Sequence, residues 1–200
     1  TPDRVIPVAF HVDYWDQLGW PDRMAKAQFS ARQRVQAQRN RADVIYTPQL
    51  LLNGTDYRPS FADVRLAERI DELNRLPAAA DLILRQRLVG AGVEVDLDLR
   101  FAKPALAATA HTYIAITENR LQSAIKAGEN RGKLLHHDFV VRELAGPLPL
   151  IDAAGRLQWK SAMALALDWK RSDLLVVAFV QDARSGEVLQ ALQAPLCTRP

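Results

Sequence analysis

Apolar and charged residues alternate without a break over residues 93–101: Val93, Val95, Leu97, Leu99 and Phe101 are separated by Glu94, Asp96, Asp98 and Arg100. Successive side chains on a strand point to opposite faces, so this period of two puts every apolar residue on one side and every charge on the other. Such a segment suits an antiparallel strand with one face on a core and the other in water. Comparable runs occupy residues 81–89, 109–117, 134–144, 157–167, 174–181 and 188–194. Turn-forming pairs and triplets lie between many of them, among them Gly90-Ala91-Gly92, Gly146-Pro147 and Ser185-Gly186. Seven short strands with turn signals and no convincing helix predict an all-β unit, an antiparallel β-sandwich, over residues 78–200.

Residues 1–77 follow another pattern. Residues 5–12 form a nearly continuous apolar run, as expected of a strand buried on both faces. Residues 29–41 are rich in helix formers and predict a helix whose thin apolar stripe is Met24, Phe29 and Val35. Residues 44–52 read as a second strand interrupted by Thr47 and Pro48, and Asn53-Gly54 signals a hairpin. Ser60 and Asp63 are spaced as an N-terminal capping pair, ahead of Val64, Ala67, Ile70 and Leu73 on one helical face, until Pro77 stops the helix. The order strand, helix, strand, short strand, helix gives an α/β unit at residues 1–77, and the chain's class is α/β plus all-β. At 200 residues there is length for two such units.

The charges exclude some functions. The 26 Lys and Arg and 23 Asp and Glu are spread evenly, 11 against 10 up to Pro77 and 15 against 13 beyond it, so no element concentrates positive charge for a nucleic-acid partner. The longest apolar run, residues 174–180, is far short of the roughly 20 residues of a membrane span. A single cysteine, Cys197, excludes an internal disulfide framework and a cysteine-based zinc site. It lies near the C-terminus with no predicted helix N-terminus to depress its pKa, and reads as an ordinary thiol.

Chemistry-bearing residues concentrate at His11, Asp13, Tyr14, Trp15 and Asp16, at the C-terminal end of the first predicted strand, where open α/β sheets place their ligands. Two readings stand beside each other. The group is a binding site, or Tyr14, Trp15 and Trp20 form a satellite cluster while Asp16 caps a turn and His11 is a satisfied core residue. Hydrolysis by His11 with Asp13 or Asp16 has suitable residue types but no nucleophile. Pro48 removes a ladder hydrogen bond from an apolar strand, and so marks an edge, a bulge or a cis turn. His136 and His137 fall on opposite faces of their strand, with Asp138 and Arg142 on the His136 side, and a metal site would need a further ligand such as His111. No metal or cofactor is expected. The segment Gly128-Glu129-Asn130-Arg131-Gly132 reads as a tight turn.

The strings VIPVAFHVDYWDQLGW, FSARQR, YTPQLLLNG and GENRGKLLHHDFVVREL together resemble the bacterial family called domain of unknown function 1223, exported proteins with a thioredoxin-like domain followed by a β-rich one. In that family a Cys-x-x-Cys segment stands immediately upstream of the block that opens this sequence. The resemblance therefore implies a thioredoxin-like domain lacking its first strand and first helix at residues 1–77, followed by a β-sandwich at 78–200. It implies that Pro48 is the cis-proline facing the dithiol, that Thr47 offers backbone groups to a bound thiol or peptide, and that His11, Asp13 and Trp15 lie near the same pocket. None of these is expected to be catalytic. The expected function is thiol-disulfide exchange through an upstream Cys-x-x-Cys in a periplasmic or secreted protein, with a protein or thiol-containing partner. The alternative is a non-catalytic envelope binding protein, with the thioredoxin-like half as scaffold and the β-sandwich recognising its partner. A first strand left unpaired would invite pairing with a second copy, with another domain, or with residues outside this chain.

Overall fold

The computed structural model describes residues 4–58, 65–128, 130–149 and 152–196. The fold is mostly β, with several antiparallel sheets. Strands β3 (Ala80–Val89), β4 (Gly92–Phe101) and β9 (Arg156–Ala164) form one sheet in the order β3-β4-β9. A second sheet runs β11-β10-β5-β8, from β5 (Ala110–Glu118), β8 (Val140–Ala145), β10 (Leu174–Asp182) and β11 (Val188–Pro195). The alternation in β4 has its expected consequence: Val93, Val95, Leu97, Leu99 and Phe101 are buried in one cluster with Ile114, Ile116, Val176, Ala178 and Val180 of the second sheet. On the opposite face of β4, Glu94 and Asp98 pair with Arg87 and Arg85 of the neighbouring strand.

The second sheet is buried on its other face as well. Tyr113, Ala115, Val141, Val177 and Phe179 point away from the first sheet and pack on Phe29 of helix α1 (Ala27–Arg39), together with Ile6, Val8 and Phe10. Burial on both faces explains why residues 174–180 are apolar without interruption rather than alternating.

Residues 5–12 are not the strand that the apolar run predicts. They are an extended segment with a single parallel bridge, Ala9 to Val140, made by Ala9 N–H to Phe139 O at 2.8 Å and Val141 N–H to Ala9 O at 2.9 Å. Ile6, Val8 and Phe10 face the sheet while Val5 and Pro7 face out, so the segment is buried on one side. Residues 44–52 also make little strand: only Leu51–Leu52 (β1) pairs, with Thr55–Asp56 (β2), around the Asn53-Gly54 turn. Gly54 has φ +90°, and a Cβ there would lie 1.9 Å from Gly186 O, so this turn packs backbone to backbone on the loop before β11.

Helix α1 buries Phe29 but turns Val35 outward; its remaining buried positions are Ser30, Gln36 and Ala37. Helix α2 (Arg65–Asn74) has no buried residue and is tied to the N-terminal segment by an Arg4–Asp71 ion pair. The expected cap residues Ser60 and Asp63, together with Val64, Glu129 and Cys197, lie outside the described residues. The run at residues 134–144 divides into β7 (Leu134–His137), which pairs with β6 (Leu121–Ala124), and β8, at Phe139 with φ +58°. Arg142 is the extra residue of a bulge in β8, between Val141 opposite Thr117 and Glu143 opposite Ile116, and instead of standing in water with His136 and Asp138 its Nη1 donates to buried Glu118 Oε2 at 2.6 Å, with its guanidinium over the Trp169 ring. Among the described residues no helix is long and apolar enough to cross a membrane.

Candidate functional site

After Phe10 the extended segment turns through a short 3-10 turn, Asp16–Leu18, closed by Gly19 in the left-handed region. The turn brings Trp15 against the 44–50 loop, where the indole Nε1–H donates to Thr47 Oγ1 at 2.9 Å. The Thr47–Pro48 bond is cis. With its N–H engaged, the indole leaves a ring face in solvent, the residue being 49% exposed. Val44, Ile45 and Leu50 of the loop and Leu18 of the turn are exposed as well.

A chain of side-chain hydrogen bonds fixes the loop on α1. Tyr14 Oη–H donates to Gln33 Oε1 at 2.9 Å, and Gln33 Nε2 donates to Tyr46 O at 2.9 Å and Gln49 Oε1 at 3.2 Å. The Tyr46 hydroxyl and Gln49 Nε2 both donate to Asp56 Oδ1, and Arg58 Nε donates to Asp56 Oδ2 while its guanidinium lies over the Tyr46 ring. Burial alone would raise the Asp56 pKa, but these donors hold it below the usual carboxylate value. The loop is thus held by side chains. Among the described residues the backbone N–H groups of Val44, Ile45, Tyr46, Thr47 and Gln49 make no hydrogen bond.

His11 and Asp13 turn elsewhere. Asp13 Oδ1 accepts from Ser30 Oγ at 2.5 Å on α1. His11 Nδ1 meets Asp22 Oδ2 at 2.5 Å, and its ring lies edge-on to His137 with centroids 5.2 Å apart. No hydrogen bond or ring contact joins His11 or Asp13 to Thr47 or Pro48 among the described residues, so the five candidate residues divide into two neighbourhoods. Burial works against the Asp22 charge, yet the bonds from His11 and the Met24 N–H keep its pKa low. Burial and the neighbouring His11 push the His137 pKa down, and His137 Nε2 is buried without a partner. Among the described residues no group of three or more His, Cys, Asp or Glu is placed to hold a metal ion, and His136, His137 and His111 do not converge.

The model of a protein family of unknown function, DUF1223, matches residues 1–181. The chain belongs to the DUF1223 family. No functionally curated protein matches this DUF1223 chain. Two solved structures share its fold. HBP35 of Porphyromonas gingivalis is similar over 84% of this chain and 58% of its own, with TM-score 0.63 and 14% identity. Protein AGR_C_4864 from Agrobacterium tumefaciens is similar over 96% of this chain and 81% of its own, with TM-score 0.64 and 20% identity. The DUF1223 chain thus spans 58% of the HBP35 chain.

Sequence reasoning missed Gln33 and Asp56, which seat the loop, and Asp22, which orients His11. Gln33 lies in an Arg- and Gln-rich helix that reads as solvated, and only its position opposite the 44–50 loop gives it a task. Asp22 follows Pro21 at the end of an aromatic turn, where an acid reads as a cap.

Proposed function

We propose that this DUF1223 chain is an exported, thioredoxin-like binding protein that receives an extended segment of a partner polypeptide along residues 44–49. The supporting observation is the Thr47 backbone, which is left without a hydrogen-bond partner beside an indole anchored on the Thr47 side chain. An extended peptide binds such an edge through main-chain hydrogen bonds, and an exposed aromatic ring supplies apolar contact area at small entropic cost. In this reading residues 1–77 carry recognition and residues 78–200 form the β-sandwich that supports them. His11 and Asp13 then position the turn that presents Trp15, and take no part in chemistry. Thiol-disulfide exchange would follow where a Cys-x-x-Cys segment precedes Thr1, by thiolate attack on a partner disulfide bound at Thr47.

The test is a titration of the 15N-labelled chain with reduced insulin B chain, with and without its thiols capped. The expected result is movement of the Thr47 and Gln49 amide signals and the Trp15 indole signal with both peptides. Loss of those shifts in Trp15→Ala would support the assignment, and shifts confined to other residues would overturn it. An insulin-reduction assay on the chain and on an upstream-extended form addresses the exchange step. Equal turnover by the two forms would remove any role for an upstream dithiol.

A further inference from the structure

Leu167 is the most exposed large apolar side chain among the described residues, at 96%. It stands with Asp168 at the centre of a tight turn between β9 and β10, which the Trp169 N–H closes by donating to Ala166 O at 3.2 Å. Both flanks of the turn are anchored. Leu165 is buried in the core between the two sheets, and Trp169 packs against that core with the Arg142 guanidinium 5.0 Å from its ring centroid. The Lys170 N–H is fixed on buried Glu118 Oε1 at 2.9 Å. Between such neighbours the fold itself holds Leu167 outward.

The turn has company at this end of the sandwich. The Leu165 N–H donates to Ala91 O at 3.1 Å and Arg171 Nη2 donates to Gly90 O at 3.3 Å, so the turn between β3 and β4 lies beside it. The sheet register sets Val89 opposite Gly92 and Gly92 opposite Ala164, so the last row on the outer face of the first sheet carries no charge. The neighbouring row does, with Arg87 paired to Glu94. Val89, Ala91, Ala164 and Ala166 are all exposed. The charged outer face thus gives way to an apolar edge that ends in the projecting Leu167.

Cations flank that edge. Lys170 and Arg171 follow the turn directly, are exposed, and make no ion pair among the described residues. The carboxylate of the turn, Asp168, lies 3.9 Å from Arg142 Nη2. A single apolar side chain in water is ordinary on a protein surface, whereas an apolar edge with unpaired cations beside it matches a lipid interface with negative headgroups. A convex tip also suits a deformable surface better than a protein partner, which would need a complementary pocket.

We propose that this end of the sandwich docks on an anionic lipid surface, with Leu167 entering the boundary between headgroups and acyl chains and with Lys170 and Arg171 meeting the negative headgroups. Val89 and the exposed alanines widen the apolar contact. The docking is peripheral and reversible, because one leucine and two cations fall short of what anchors a protein stably in a bilayer. The surface is separate from the proposed peptide edge at Thr47 and does not depend on it.

The test is cosedimentation of the full chain with vesicles of phosphatidylcholine alone and of phosphatidylcholine mixed with phosphatidylglycerol, at low and at physiological ionic strength. Each basic side chain at an anionic surface is worth about fivefold in affinity, so at low salt the mixed vesicles should bind at least roughly tenfold more tightly, and at higher salt by less. Leu167→Ser should weaken binding to the mixed vesicles roughly tenfold, and the exposure of this side chain leaves the melting temperature unchanged. Lys170→Gln combined with Arg171→Gln should remove the preference for the mixed vesicles. Equal binding to both vesicles would overturn the proposal, as would binding that Leu167→Ser leaves intact. Binding to neither vesicle would overturn it too and would leave the tip to a protein partner.

Discussion

Phe10 and Phe29 meet edge to face, with ring centroids 5.3 Å apart at 72°. One comes from an extended segment that carries a single β-bridge, the other from a helix with mostly polar neighbours. Together they cover Val177 and Phe179 at the middle of the second sheet. The outer layer therefore depends on a few large side chains and little backbone pairing.

Phe29→Ala should be among the most damaging single changes in the chain. Phe29 is fully buried, and truncation of such a ring costs about 3–5 kcal/mol. Urea denaturation followed by far-ultraviolet circular dichroism measures it. A loss under about 1 kcal/mol would mean that the outer layer contributes little to the stability of the sheet.

Glu118 and Arg142 form a buried pair, their side chains 1% and 11% exposed. Glu118 also accepts from the Lys170 N–H, so both of its oxygens are engaged. Glu118→Gln leaves the Arg142 cation with only the exposed Asp168, 3.9 Å away, as a charged partner and should destabilise by about 3 kcal/mol, whereas the double change Glu118→Met, Arg142→Met should recover most of that loss. A double-mutant cycle in denaturant checks both statements.

Asp182 sets part of the acid limit of stability. Burial alone would raise its pKa, but the Ser185 N–H, the Thr109 and Ser185 hydroxyls and the Arg184 N–H hold it down to about 2, against an ordinary value of 3.8. A depressed folded pKa contributes stability that is fully present above the unfolded value and disappears as pH falls from about 4 through about 2. The contribution at neutral pH is about 2 kcal/mol. Asp182→Asn should lose about that much at pH 7 and show a shallower decline between pH 4 and 2.

His137 acts in the same direction at higher pH. Burial and His11 lower its folded pKa below 6.5, with His136 and Arg23 acting in the same sense and Asp22 against them. The unfolded chain therefore binds more protons there, and stability falls as pH drops below about 6.5 until the folded pKa is reached. His137→Leu should flatten the wild-type slope of denaturation midpoint between pH 7 and 5. An unchanged slope would show that His137 is already solvated in the folded state.

Most of the strands could be read from period alone. The runs at 81–89, 93–101 and 157–167 became β3, β4 and β9 because one face of that sheet meets water, and alternation survives only where the two faces differ. The same rule misled at residues 5–12, where an apolar run suggested burial on both sides. Pro7 has no N–H to donate to a ladder, and the segment gains its stability from Ile6, Val8 and Phe10 on one face.

The family resemblance implied one pocket for His11, Asp13, Trp15, Thr47 and Pro48, and of these the structure joins Trp15 to Thr47 by a hydrogen bond. The sequence could not separate His11 and Asp13 from them, because the partners that turn these away, Asp22, His137 and Ser30, lie on other elements. Local propensity and period act over a few neighbouring residues, and they determined the strands of the first sheet and which face of each is apolar. The buried pairing of Arg142 with Glu118 and the partnerless Nε2 of His137 were decided only by tertiary structure. Whether a buried polar group has a partner depends on which distant segments are packed against it, and nothing in the spacing along the chain encodes that.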